Sequence, residues 1–110
     1  MTMKTIMALT SLAAAVGLSA PAYSQIVDGR PAIVYADPSD LVIGLVAVGS
    51  LVPVTGPCGS TLFHAQRANI NFREVTAVTL TAYAAGKTMT LFVTGCAGTR
   101  NIIDHLAVHD

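Results

Sequence analysis

The stretch FREVTAVTLTAYAAGKTMTLFVTGCA, which covers residues 72–97, decides the fold of this chain. Its first half places apolar residues three and four positions apart, which is the spacing of an amphipathic helix. Its second half alternates apolar and polar residues, which is the pattern of a half-buried strand. Gly86 stands between the two halves, where many helices end in a left-handed residue that glycine adopts at little cost. The stretch therefore predicts a helix, a tight turn and a strand in immediate succession.

The predicted helix carries a start signal at Asn71 and Glu74. An Asn side chain at the cap can accept a hydrogen bond from the free N–H groups of the first turn. A Glu three residues later can reach back to the N–H of the cap residue. The pair therefore predicts a capping box and a helix that begins directly after Asn71.

The helix and the strand are each expected to bury their apolar face. The rest of the chain would pack against these two faces. The strand is predicted over residues 88–94. The expected core residues are Phe72, Val75, Val78, Thr79, Ala82 and Ala85 on the helix, and Met89, Leu91 and Val93 on the strand.

The first 24 residues have the organisation of a secretory signal peptide. Lys4 supplies the positive charge, Ile6 to Leu18 forms an apolar region, and small residues follow at Ala20 to Ser24. The alternative is a transmembrane helix, but the apolar run is short and is interrupted by polar residues. The sequence thus predicts an exported protein, secreted or periplasmic, with no membrane span after processing and one small domain over residues 25–110.

The other segments of residues 25–110 read mostly as strands. Residues 25–30 are expected to form a loose arm ending in a turn at Asp28-Gly29. Residues 41–54 fit two strands or one bent strand, with the bend at Gly49-Ser50. Further strands are predicted at residues 32–35, 61–66 and 102–108. This pattern predicts a mainly β fold with one α-helix, arranged as a small OB-like Greek-key barrel, with a plain α+β sandwich as the alternative.

Cys58 and Cys96 are the two cysteines of the chain. An even count in an exported protein argues for one disulfide, and a pair of free thiols is the alternative. A domain of this size is marginally stable on its core alone, so that such a crosslink or oligomerisation is expected to support it.

Composition excludes several classes of function. Six basic and six acidic residues are scattered along the chain, without the basic stripe that nucleic-acid binding requires. Ser60 lacks the surroundings of a nucleophilic serine. His105 and His109 would lie about 13 Å apart on one strand, too far to share a metal ion. We therefore expect no catalytic residues, no metal site and no cofactor, with an enzyme as the least favoured class.

The run from residue 72 to Cys96 resembles the B subunit of subtilase cytotoxin and small secreted proteins related to it. The shared pattern is a helix that ends in Gly86-Lys87, an apolar strand and then Gly95-Cys96. Upstream, Cys58-Gly59-Ser60 matches a cysteine loop of that family, and Leu62-Phe63 stands where family members carry Trp and Tyr. The resemblance implies an OB-like fold, a Cys58–Cys96 disulfide and, as in the toxin members, a glycan-binding pentamer.

We therefore expect a secreted or periplasmic, non-catalytic binding module for a glycan or another exported protein, assembled as a homo-oligomer. The alternative is an accessory protein that pairs with another exported protein through exposed strands, motivated by the Val, Leu and Gly residues of residues 41–54. The candidate ligand-binding residues are Ser60, Phe63, His64 and Tyr83.

Overall fold

Five strands and one helix make up residues 25–110, the part of the chain that our computed structural model describes. The predicted signal peptide lies outside these residues. In chain order the elements are β1 (Gln25–Ala36), β2 (Asp40–Val46), β3 (Leu62–Gln66), α1 (Phe72–Ala85), β4 (Thr88–Ala97) and β5 (Arg100–His109). Within residues 25–110, no helix has the length and apolar character needed to cross a membrane.

The five strands join into one closed ring in the order β1-β2-β3-β5-β4. Neighbours are antiparallel, except that β3 and β5 run parallel. The ring closes through β1, whose first half pairs with β4 and whose second half pairs with β2. The predicted fold class, mainly β with one helix and one disulfide, is confirmed.

The expected loose arm at residues 25–30 is wrong, because these residues form the first half of β1. Gly29 is not a turn residue but the point at which β1 passes from β4 to β2. A Cβ on Gly29 would lie 2.7 Å from the carbonyl oxygen of Val46 and 2.9 Å from Cβ of Leu45. Glycine is needed here because the two backbones approach too closely for a side chain.

Helix α1 lies against β1 and β5 and buries Val75, Thr79 and Ala82. The prediction that Val78 belongs to the core is wrong, since 38% of Val78 is exposed. Residues 75, 79 and 82 share one side of the helix, and Val78 falls at its edge because each residue turns the helix by about 100°. Ala85 is exposed as well. In β4, by contrast, the predicted core residues Met89, Leu91 and Val93 are all fully buried.

Helix α1 has the predicted C-terminal cap but lacks the predicted N-terminal capping box. Gly86 ends the helix in the left-handed conformation, with φ 67° and ψ 32°, as expected. The capping box at the other end is wrong, because the Asn71 side chain makes no cap hydrogen bond. Instead its Nδ2 donates to the carbonyl oxygen of Asp104 at 3.3 Å. With φ −94° and ψ 9°, Asn71 lacks the extended backbone from which a cap side chain normally reaches the first turn.

Strand β5 changes the face that it turns to the core halfway along its length. The expected strict alternation over residues 102–108 is wrong, because the pairing with β4 skips Asp104. Ile103 therefore lies in the core, and beyond the irregularity Leu106 and Val108 pack against it. A β-bulge has this effect because one extra residue reverses the alternation of side chains.

Residues 41–54 form one strand and a loop rather than two strands. After β2 ends at Val46, the chain turns at Gly49, which has φ 77°, and returns to form a bridge between Val46 and Pro53. The loop that follows contains Cys58, which forms a disulfide with Cys96 at a Cα–Cα distance of 5.7 Å. The predicted disulfide is confirmed, and it ties the β2–β3 connection to the end of β4.

Candidate binding site

One row of side chains crosses the outer surface of the ring from β1 to β5. In this row Tyr35 pairs with Val42, Val42 pairs with His64, and His64 pairs with Ile102. Their neighbours along the same strands contribute to the core. These neighbours include Val34, Ile43, Phe63 and Ile103. Since side chains alternate along a strand, the row lies on the side of the sheet away from the core. Val42 and His64 in this row are buried, and Tyr35 at its end is exposed.

Asp40 and His64 form a buried pair on this outer surface. Asp40 is 1% exposed and His64 8% exposed, and His64 Nδ1 lies 2.9 Å from Asp40 Oδ2. An ionised carboxylate only accepts hydrogen bonds, so that Nδ1 is assigned as the donor. In the neutral imidazole, Nε2 is then the nitrogen with a free lone pair.

Arg100 completes the pair by donating from its guanidinium to the same Asp40 oxygen. The guanidinium compensates the charge of a carboxylate that would be costly to bury alone. Arg100 opens β5 and is 60 residues away in sequence from Asp40. Its side chain is 44% exposed, so that part of the guanidinium remains at the surface.

Asp37 supports Asp40 from the connection between β1 and β2. Its Oδ1 accepts hydrogen bonds from the backbone N–H groups of Asp40 at 2.7 Å and Ser39 at 3.0 Å. These bonds hold the pKa of the Asp37 carboxyl below its usual value, and the neighbouring His64 and Arg100 act in the same direction. Arg67 closes the connection by donating to the carbonyl oxygens of Pro38 and Asp37.

Asp37, Asp40 and His64 also bring three potential metal-ligand atoms within 4.8 Å of one another. Two carboxylates and an imidazole suit a divalent transition metal by ligand type. Arg100, however, already contacts the Asp40 oxygen that such an ion would need. The arrangement is chemically better suited to an ion-pair network that presents hydrogen-bonding groups than to a metal centre.

The structure places the four predicted ligand-binding residues in different surroundings. Ser60 accepts a hydrogen bond from the Leu62 N–H and so shapes the start of β3. Phe63 is fully buried in the core, which leaves no ring face for a ligand. Tyr83 is 49% exposed and lies on α1, whereas His64 lies on β3. Of the four, His64 alone belongs to the Asp40 network.

No local sequence pattern predicts Tyr35, Asp40 or Arg100 as site residues. Residues 36–40 have the composition of a turn, with Asp40 as the last of them and Tyr35 directly before them, so that the sequence does not place either side chain on the sheet surface. Nothing local links Arg100 to Asp40, since only the parallel pairing of β3 with β5 brings that strand to this face. His105 and His109, the other two histidines, have different partners. His105 stacks on the ring of Phe92, whereas His109 Nε2 lies within hydrogen-bond distance of Thr90 Oγ1.

Comparisons of this chain with models of protein families, with curated proteins and with solved structures find no match.

Proposed function

We propose that this protein is an exported, non-catalytic binding module that takes up a carbohydrate on the outer surface of its ring of strands. The observation that carries the proposal is the row that joins Tyr35 to the Asp40–His64–Arg100 network. Tyr35 is 46% exposed and supplies an aromatic face beside a set of polar groups.

A sugar ring has an apolar face of C–H groups and a rim of hydroxyl groups. Its apolar face packs on an aromatic side chain, while its hydroxyls need donors and acceptors held in fixed positions. Tyr35 and His64 are two strands apart, which places them about 10 Å from each other. Val42 lies between them and is fully buried, so that the groups exposed to a ligand are Tyr35 and the half-exposed Arg100. A short oligosaccharide would contact these two side chains.

The polar end of this surface is held in place before any ligand arrives. Asp40 accepts from both His64 and Arg100, so that neither side chain has to be ordered by the ligand. A guanidinium has five N–H donors, and those not used by Asp40 are free for hydroxyl groups. Preorganised donors of this kind reduce the entropic cost of binding.

Export is part of the proposal and rests on two features. Residues 1–24 have the sequence pattern of a signal peptide, and Cys58 and Cys96 form a disulfide. Disulfides persist mainly in oxidising compartments such as the periplasm and the extracellular space.

A glycan array with the purified protein tests the proposal, followed by calorimetry on the glycans that bind. Tyr35→Ala should abolish binding, whereas Tyr83→Ala should leave it unchanged. The two tyrosines are a matched pair because they are exposed to nearly the same extent, 46% and 49%. Binding that depends on Tyr83 and not on Tyr35 would move the site to the helix and contradict the proposal.

The second candidate is an accessory protein that engages another exported protein. It could pair through strand edges, because each half of β1 pairs with one neighbour only, β4 or β2. Absence of any glycan signal, together with copurification of one exported protein, would favour this candidate.

A further inference from the structure

The disulfide between Cys58 and Cys96 joins two cysteines with different surroundings. Cys96 lies near the end of β4 and is exposed, whereas Cys58 is half-buried and packs against the core. Cys58 Sγ also lies 3.5 Å from the carbonyl oxygen of Gly95, so that backbone atoms cover one side of this sulfur. The reactivity of a cysteine depends on its exposure. A thiol that approaches the folded protein therefore reaches Cys96 more easily than Cys58.

The loop that carries Cys58 is also held in place by hydrogen bonds that do not involve the disulfide. The Cys58 N–H donates to Asn101 Oδ1 at 2.8 Å. Within the loop, the Gly56 N–H donates to the carbonyl oxygen of Ser60 at 2.9 Å. Because these bonds remain when the disulfide is opened, Cys58 keeps its place beside Cys96.

We infer that Cys96 is the cysteine through which this disulfide is opened and closed, and that its partner in this exchange is a dithiol oxidoreductase of the periplasm or the extracellular space. Such an enzyme exchanges thiols through a mixed disulfide with one cysteine of its substrate protein. An exposed cysteine can enter the active site of another protein, whereas a half-buried one is shielded by its own fold. The inference rests on the observed bond and on the proposed export, and it goes beyond carbohydrate binding.

Reduction proceeds in two steps. A thiolate of the reduced partner attacks Cys96 Sγ and forms a new sulfur–sulfur bond, while the bond between Cys96 and Cys58 breaks and Cys58 leaves with the electron pair and takes up a proton. The second thiol of the partner then attacks the mixed disulfide and releases Cys96 as a thiol. The partner loses two electrons as it closes its own disulfide, and the two cysteines gain them. Oxidation passes through the same mixed disulfide in the reverse direction.

The positions of the two cysteines favour closure of the bond within the folded protein. Their Cα atoms are 5.7 Å apart, which is within the range that a disulfide spans. When Cys96 is held in a mixed disulfide, Cys58 is therefore near enough to attack it within the same molecule. An intramolecular attack is fast because the reacting groups are already positioned. The disulfide can thus be opened and closed without unfolding.

A pulse of alkylation on the reduced wild-type protein tests the inference. The mature protein is reduced with dithiothreitol without denaturant, desalted in acid and briefly exposed to a limiting amount of iodoacetamide at neutral pH. Trypsin separates the two cysteines, because it cleaves after Arg67 and Lys87, which lie between them in the sequence. Mass spectrometry should find the first alkyl group on Cys96. Circular dichroism should be unchanged by the reduction.

Two single-cysteine variants form a matched pair, because both lack the same disulfide. Only Cys96 remains in Cys58→Ser, and only Cys58 remains in Cys96→Ser. Oxidised glutathione should form a mixed disulfide with Cys96 on the order of tenfold faster than with Cys58, since the exchange requires access to the sulfur. Urea should remove this difference, because unfolding exposes both sulfurs.

Equal alkylation of the two cysteines in the reduced wild-type protein, or alkylation of Cys58 first, would overturn the inference. So would a disulfide that dithiothreitol opens only in urea, because the partner enzyme would meet the folded protein. The wild-type measurement does not depend on the folding of the two variants. None of these measurements depends on glycan binding.

Discussion

Asn101 lies directly against Gly56, so closely that a Cβ on Gly56 would come within 2.5 Å of Asn101 Oδ1. Asn101 is fully buried at the start of β5. Its Nδ2 donates to the carbonyl oxygens of Ser60 and Leu62, both at 2.9 Å, and its Oδ1 accepts from the Cys58 N–H at 2.8 Å. One side chain thus satisfies three backbone groups, two in the loop that carries Cys58 and one at the start of β3.

Asn101→Ala should destabilise the protein by about 3–5 kcal/mol, because it leaves three backbone groups in the interior without their partners. Gly56→Ala should also be destabilising, since the added methyl group displaces the same side chain. Urea denaturation measures both. Thr99→Ala, in the exposed turn before β5, is the control and should stay within about 0.5 kcal/mol of wild type. If Asn101→Ala lowers the unfolding free energy by no more than Thr99→Ala does, the three hydrogen bonds do not hold the loop.

Val75→Ala and Val78→Ala make the same chemical change on the same helix, so that helix propensity cancels between them. Val75 is 4% exposed and Val78 is 38% exposed. Val75→Ala should cost about 1–3 kcal/mol because it leaves a void in the core, and Val78→Ala should cost clearly less. Chemical denaturation of the two variants decides the orientation of α1. The reverse order of costs would mean that the helix is rotated.

Reduction of the disulfide should lower stability by about 4 kcal/mol in the chain-entropy model, because the bridge closes a loop with a sequence separation of 38. Cys96→Ser should show a similar loss. Mass spectrometry of the non-reduced mature chain should find it lighter by two hydrogens than the reduced chain. Two alkylatable thiols in freshly prepared protein would contradict the crosslink.

The Asp37 carboxylate should stabilise the fold in a pH-dependent way. Its pKa lies below the usual value of 3.8 in the folded protein, because two backbone N–H groups donate to it. The unfolded chain therefore takes up the proton first as the pH falls. The stabilisation is complete above the unfolded pKa and is lost as the pH falls through the folded pKa.

The measurement is the difference in unfolding free energy between wild type and Asp37→Asn over an acidic pH series. The difference should be constant near neutral pH and should shrink below the usual Asp pKa of 3.8. A difference that stays constant down to the most acidic point would show that the Asp37 bonds do not contribute to stability.

Local sequence patterns determined the helix, the strand after it and the bonded cysteines. Gly86 ends α1 where predicted, and Met89, Leu91 and Val93 face the core, because short-range periodicity and turn chemistry act within a few residues. With two cysteines only one intramolecular disulfide was possible, and the structure shows that it forms.

Tertiary structure alone decided the features that depend on distant neighbours. The sequence suggested a turn at Gly29, but the ring of strands needs a glycine there to pass from β4 to β2. The bulge at Asp104 changes the side of β5 on which Leu106 lies. This bulge is defined by the pairing of β5 with β4, which the sequence of β5 alone does not show.

The candidate binding site depends on tertiary structure for the same reason. Asp40, His64 and Arg100 come from three strands, and the closest two of them are 24 residues apart in sequence. No periodicity links residues at such separations. Their meeting follows from sheet register, which is set by the burial of the whole core and not by the residues of the site.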